Sequence, residues 1–156
     1  MSNRRTMLTI TALHHAVLRL TGNRLGRRLG TMPVIELTTT GHSSGLPRTA
    51  LLTVPAREPL PGGQSGERLI VIASRGGDDL QPAWYLNLVA EPRVLVAAPG
   101  EHPRPYRART ADPDERARWW PEAVRAYGGY AQYQRRTRRE IPVVILEPEN
   151  RAEVDR

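Results

Sequence analysis

Along residues 7–20, Ile10, Leu13, Val17 and Leu20 recur at helical spacing with His15 and Arg19 on the other side, which predicts an amphipathic helix. From Thr21 to Pro33 the pattern breaks, with Gly22, Gly26 and Gly30 set among arginines, and the stretch reads as a loop. At Val34 the period changes to two: Ile35, Leu37 and Thr39 alternate with Glu36, Thr38 and Thr40, as in a half-buried strand. The turn Gly41–Arg48 leads into a second strand from Thr49 to about Ala56, so the pair predicts a hairpin with a long tip. Residues 57–67, rich in Pro and Gly, read as a surface loop. Arg68–Ser74 is nearly all aliphatic and predicts a central strand.

Pro82 is placed to open a short helix that Pro92 ends. Arg93–Ala98 and Pro105–Thr110 read as strands. Asp112-Pro113-Asp114-Glu115 forms a capping box that opens a helix to about Ala126. Gly128 and Gly129 break it, a further helix runs from Tyr130 to about Arg138, and Val143–Leu146 is the last strand. Strands joined mostly by hairpins, with helices outside them, predict an α+β domain built on an antiparallel barrel. The expected organisation is a helix and loop over 1–33, one barrel domain over 34–148 and a charged tail over 149–156.

Composition narrows the chemistry. Phe is absent, so the core should be aliphatic and any Trp or Tyr cluster stands out. Cys is absent too, which removes disulfides, thiolate chemistry, iron–sulfur clusters and the usual structural zinc sites. His14, His15, His42 and His102 lack metal-ligand spacing, and no metal is expected. All 23 basic residues are Arg, and the net charge of +7 favours acidic partners: phosphorylated cofactors, nucleic acid or an anionic membrane. Coding bias alone would also produce arginine without lysine. No apolar run reaches the ~20 residues that a spanning helix needs. Arg4, Arg5 and the apolar run after them hint at a signal peptide, but His14, His15 and Arg19 interrupt it and no cleavage site follows, so a cytoplasmic location is expected.

Nucleophile motifs are missing: there is no GxSxG, and a P-loop fails for want of lysine. Chemistry would therefore come from a cofactor. The turn Gly41–Arg48 combines backbone N–H groups, serine hydroxyls and an Arg fork, as anion-binding nests do, although an ordinary glycine-rich hairpin tip reads equally well. At Ser74-Arg75-Gly76-Gly77 a strand ends in glycines that would let a flat ring lie against the backbone, or that make a plain turn. Trp84 and Tyr85 could wall an aromatic ring or pack over the barrel mouth. Tyr127, Tyr130 and Tyr133 recur across the glycine break; a phenol pair could hold a planar substrate, and interfacial packing is the plainer alternative.

Four segments in order, LTTTGHSSGLPRT (37–49), VIASRGGDDLQPAWYLNLVAEPRVLV (71–96), DERARWWPEAVRAYGGYAQYQ (114–134) and IPVVILEP (141–148), resemble the deazaflavin-dependent nitroreductases, also described as deazaflavin-dependent quinone reductases. The resemblance implies a split β-barrel and coenzyme F-420, an 8-hydroxy-5-deazaflavin with a phosphate and a polyglutamate tail. It implies hydride transfer to quinone-like or nitro-aromatic acceptors. It places tail and phosphate binding on His42, Ser43, Ser44, Gly45, Leu46, Pro47 and Arg48, and ring binding on Ala73, Ser74, Arg75 and Gly76. A ring-flanking helix falls on Ala83, Trp84, Tyr85, Leu86 and Asn87, and substrate-pocket tyrosines on Tyr130 and Tyr133. Ser74, Tyr130 and Tyr133 are the candidate catalytic groups. The chain departs from the family pattern at His42 and Ser43, where basic residues are common, and at Leu51 and Thr53. An FMN-binding barrel reductase is the alternative. A basic nucleic-acid-binding module is a further one, resting on Arg135, Arg136, Arg138 and Arg139, although arginines at a helix C-terminus also complement its dipole. For the leading reading no nucleic-acid partner is expected. The N-terminal helix, flanked by Arg4, Arg5, Arg19, Arg24, Arg27 and Arg28, is expected either to cover the barrel or to rest on the inner face of the cell membrane.

Overall fold

The structure, a computed structural model, describes residues 28–29 and 32–149. The helix expected over 7–20, most of the loop after it and the tail from residue 150 lie outside the described residues. Strands β1 (Arg28–Leu29), β2 (Met32–Thr40), β3 (Pro47–Thr53), β4 (Ala56–Pro59), β5 (Glu67–Ile72), β6 (Arg93–Ala97), β7 (Arg104–Thr110) and β8 (Val143–Pro148) combine with helices α1 (Ala83–Ala90), α2 (Pro113–Ala126) and α3 (Gly129–Arg136). Every pairing is antiparallel, in the order β3-β2-β6-β7-β8-β5-β4, with β1 against the first residues of β2. This is the expected α+β class. Among the described residues the end strands β3 and β4 share no ladder, so hydrogen bonds do not close the sheet.

The sequence patterns follow from two cores, one on each face. Ile35 and Leu37 of β2, Val94 and Val96 of β6, and Val71, Val144 and Leu146 form the first, with Leu88, Trp84 and Tyr85 of α1 packed on it. Ile70, Ile72, Val143 and Ile145 face the second, covered by Trp119 and Ala123 of α2 and Tyr130 of α3. Strands β5 and β8 are therefore apolar on both faces, which explains an unbroken aliphatic run where β2 alternates. Truncating a residue such as Leu37, wholly buried, to Ala would cost about 2–5 kcal/mol.

Residues 57–67 are only partly loop. Strand β4 pairs Ala56–Pro59 with Glu67–Ile70, and a short turn at Pro61–Gly63 closes the hairpin. Polar Arg57 and Glu58 concealed this strand, and its position at the sheet end tolerates Pro59. The capping box forms as expected: Glu115 N–H donates to Asp112 Oδ1 at 2.8 Å, and Asp112 N–H to Glu115 Oε2 at 2.9 Å.

Much of the arginine excess serves the fold. Arg109 holds Glu115 through both guanidinium ends, at 2.6 and 2.7 Å, and reaches Glu147 at 3.3 Å. Arg68 links Glu147 to Glu58, which also takes Arg118 at 2.7 Å. Forked, bidentate contacts of this kind suit Arg and not Lys.

Candidate active site

The Gly41–Arg48 turn is held from within. Gly41 N–H donates to Leu46 O, Gly45 N–H to Gly41 O and Leu46 N–H to Ser44 Oγ. The expectation of a turn full of free N–H groups is therefore corrected: the turn closes on itself, and among the described residues only Ser43 and Ser44 keep unpartnered N–H groups there. Pro47 and Arg48 begin β3. His42, Ser43, Ser44, Gly45, Leu46, Pro47 and Arg48 are all exposed.

Asn87 ties this turn to α1. Its Oδ1 accepts from His42 N–H at 2.9 Å and lies 2.7 Å from His42 Nδ1, while its Nδ2 donates to Thr39 Oγ1 at 3.0 Å. Asn87 and Thr39 are buried, so this triad locks the hairpin tip against the helix. Arg48 stands opposite Thr39 in the β2–β3 register, and directly paired residues share a face. Arg48 is exposed, and its guanidinium has no partner among the described residues.

Beyond β5 the chain passes through Ala73 and Ser74 into a turn of unusual hand. Arg75, Gly76 and Gly77 have φ of 45, 65 and 82°, and Arg75 is the one non-glycine residue with positive φ among those described. Left-handed backbone is strained for a residue with a Cβ and free for glycine. The reason for glycine differs at the two positions. A Cβ on Gly77 would stand 2.6 Å from Tyr133 O, so this glycine lets the turn touch α3; a Cβ on Gly76 would meet nothing within 4 Å, so its outer side is open. Among the described residues the N–H groups of Ser74, Arg75 and Gly76 and the Ser74 hydroxyl have no hydrogen-bond partner. Arg75 itself turns inward, donating to Gln81 O at 3.1 Å and pairing with Asp78 at 3.6 Å.

Trp84 and Tyr85 lie edge to face and pack on the first core, while Ala83 and Leu86 are exposed. Tyr85 OH meets Thr110 Oγ1 at 2.8 Å, which commits that phenol to β7. The tyrosines at the α2–α3 junction form one cluster: Tyr127 stands edge-on to Tyr130 at 5.2 Å, and its hydroxyl lies 3.2 Å from that of Tyr133. Tyr130 is only 5% exposed, and its hydroxyl bonds Thr53 Oγ1 at 2.9 Å. Burial raises the Tyr130 phenol pKa above its ordinary value. Tyr133 is half-buried and is raised first by its bond to Tyr127, then by burial. Both phenols therefore keep their protons through the neutral range.

Residues 11–148 match the family described as "F420H(2)-dependent quinone reductase". The chain belongs to this family. A Mycobacterium tuberculosis protein of that description is 38% identical over 139 residues, covering 86% of this chain and 87% of its own. Two solved structures are similar. One, described as an F420-H2 dependent reductase, shares 39% identity with a TM-score of 0.60 over 74% of this chain and 94% of its own. The other, described as a domain-swapped dimer, shares 34% identity with a TM-score of 0.62 over 90% and 98%.

As a member of this family the chain is an oxidoreductase whose cofactor is coenzyme F-420. The structure ties the turn to α1 through Asn87 and the strand end to α3 where Gly77 meets Tyr133. Sequence reasoning gave Thr39, Thr53 and Arg139 no role at the cofactor site, and Arg139 entered only the nucleic-acid alternative. Thr39 carried a readable signal, a polar residue on the buried face of an alternating strand. Thr53 and Arg139 carried none, because their partners are 77 and more than 57 residues away in sequence. None of the residues read from the sequence as cofactor or catalytic residues lines the open concavity formed by Asp79, Arg135, Arg136, Thr137, Arg138 and Arg139, whose arginines are the four on which the nucleic-acid alternative rests.

Proposed function

We propose that the chain transfers a hydride from reduced coenzyme F-420 to a quinone, with the deazaflavin ring read by the Ser74–Gly76 end of β5. The observation that carries this reading is the set of donors at Ser74, Arg75 and Gly76 that have no partner among the described residues, beside the open side of Gly76. A planar heterocycle with carbonyl oxygens fits such a ledge: it needs close approach to backbone and N–H groups aimed at its edge. When bound, the reduced cofactor supplies the hydride. The chain's residues bind and orient.

The exposed Arg48 and the N–H groups of Ser43 and Ser44 hold the anionic phosphate and tail. With a neutral Ser at 43 and an internally engaged His42, this turn relies on Arg48 for its positive charge. Trp84 closes one side of the ring site. Tyr133, paired with Tyr127, faces the acceptor and holds a proton at its phenol oxygen, and Tyr130 braces it from beneath through Thr53. Ser74 Oγ donates near the reacting edge.

The same reading takes the fold as a split β-barrel over 34–148, nitro-aromatic compounds as further acceptors, and the segment 7–20 as either a cover for the barrel or a contact with the inner membrane surface. The arginines flanking that segment support the membrane contact. No described helix is long and apolar enough to cross a membrane.

The experiment is single-turnover oxidation of the reduced cofactor, followed by absorbance, with a soluble naphthoquinone and with a nitrobenzene derivative as acceptors. Enzyme-dependent oxidation by the quinone is expected. Oxidation no faster than the uncatalysed background would overturn the reading.

A further inference from the structure

We propose that Arg139 is a positioning residue of this site, aiming the N–H groups of Ser74 and Arg75 from behind. The proposal rests on the reading that these donors bind the cofactor ring. Arg139 Nη2 donates to Ser74 O at 2.9 Å, and both terminal nitrogens lie 3.3 Å from Ala73 O. Its Nε donates to Asp78 O at 2.8 Å and Nη1 to Gln81 Oε1 at 2.9 Å. One guanidinium therefore fastens both ends of the left-handed turn.

A trans peptide points its C=O and N–H in opposite directions. Holding Ala73 O on Arg139 turns the Ser74 N–H away from that side chain, and holding Ser74 O does the same for the Arg75 N–H. These are donors without a partner among the described residues. Arg75 stands at a positive φ, and Gly76 and Gly77 add none of the restraint of a side chain; the other ties on the turn are its own bonds from Gly77 N–H to Ser74 O at 2.9 Å and Asp78 N–H to Arg75 O at 3.2 Å, the Arg75 side chain to Gln81 O at 3.1 Å, Arg136 to Gly76 O at 3.4 Å and Thr137 Oγ1 to Asp79 at 2.8 Å. The planar fork of Arg reaches several carbonyls at once, and the ammonium of a Lys does not.

The test compares Arg139→Gln and Arg139→Lys with Arg138→Gln, an exposed neighbour carrying the same charge. Affinity for oxidised coenzyme F-420 is read by fluorescence, amide exchange at Gly77 and Asp78, whose N–H groups bond Ser74 O and Arg75 O, by NMR without cofactor, and melting temperature alongside. Both Arg139 variants should bind roughly tenfold to a hundredfold more weakly and exchange faster at the turn, with Lys no better than about tenfold short of wild type. Arg138→Gln should change neither. If the Gln variant fails to fold, the Lys variant decides alone. Faster exchange with unchanged affinity would overturn the positioning role and leave a structural one. Wild-type protein that binds no deazaflavin would overturn the functional reading, and the positioning role with it; binding by wild type and equally by the Arg139 variants overturns the positioning role alone.

Discussion

Asn87 Oδ1 takes hydrogen bonds from both the backbone N–H and the ring Nδ1 of His42, at 2.9 and 2.7 Å. A backbone N–H only donates, so the amide orientation is fixed, and the ring must carry its proton on Nδ1. The same amide reaches Thr39, making one buried side chain the joint between hairpin tip and helix. Asn87→Ala is expected to cost about 1–3 kcal/mol of stability in urea unfolding, since it strands buried polar partners, and to weaken cofactor binding as the turn loosens. Stability equal to wild type would show that the joint contributes nothing.

Arg48 has the opposite character. It is exposed and unpartnered among the described residues, so Arg48→Ala should leave the melting temperature unchanged. Cofactor affinity should fall by about 1.5–3 kcal/mol, roughly tenfold to a hundredfold in Kd, through loss of a charge-assisted contact. Titration of the variant with oxidised cofactor checks this, and an unaltered Kd would leave Arg48 as a surface charge.

The tyrosine pair separates bracing from chemistry. Tyr130→Phe leaves the Thr53 hydroxyl without its partner and should cost about 0.5–1.5 kcal/mol of stability, with a small change in turnover. Tyr133→Phe removes the more accessible phenol and should lower turnover roughly 10²-fold while cofactor affinity holds. The reverse order of effects on turnover, measured with one quinone, would move the acceptor to Tyr130.

Period and punctuation made most of the fold legible. Alternation marked β2, aliphatic runs marked β5 and β8, and Asp112 with Glu115 marked the start of α2. Strand β4 was hidden because an edge strand buries little and tolerates polar residues and Pro59. At the site, the glycine turn after β5 was legible as a place for close approach, but its left-handed geometry was not, since Arg75 gives no hint of a positive φ. The turn at Gly41–Arg48 misled differently: its glycines and serines suggested free donors, and the folded turn uses most of them on itself. Arg139 was indistinguishable from Arg135 and Arg138 in a run of like charges, and only tertiary contact singles it out.

Acid should expose the Arg109–Glu115 link. The Arg109 fork holds the Glu115 carboxyl down to about 2 from an ordinary 4.5. A depressed carboxylate stabilises the fold above its unfolded pKa, and that contribution disappears as pH falls from about 4.5 through about 2. Thermal unfolding followed across that window should show wild type losing stability more steeply than Glu115→Gln. Parallel curves would remove Glu115 from the acid response.

A fluorescence titration with oxidised coenzyme F-420, repeated with FMN, shows which of the two cofactors this chain prefers. Saturable binding at least about tenfold tighter for the deazaflavin than for FMN is expected, a difference of roughly 1.4 kcal/mol or more. Equal or reversed affinities would point instead to a flavin in the same site.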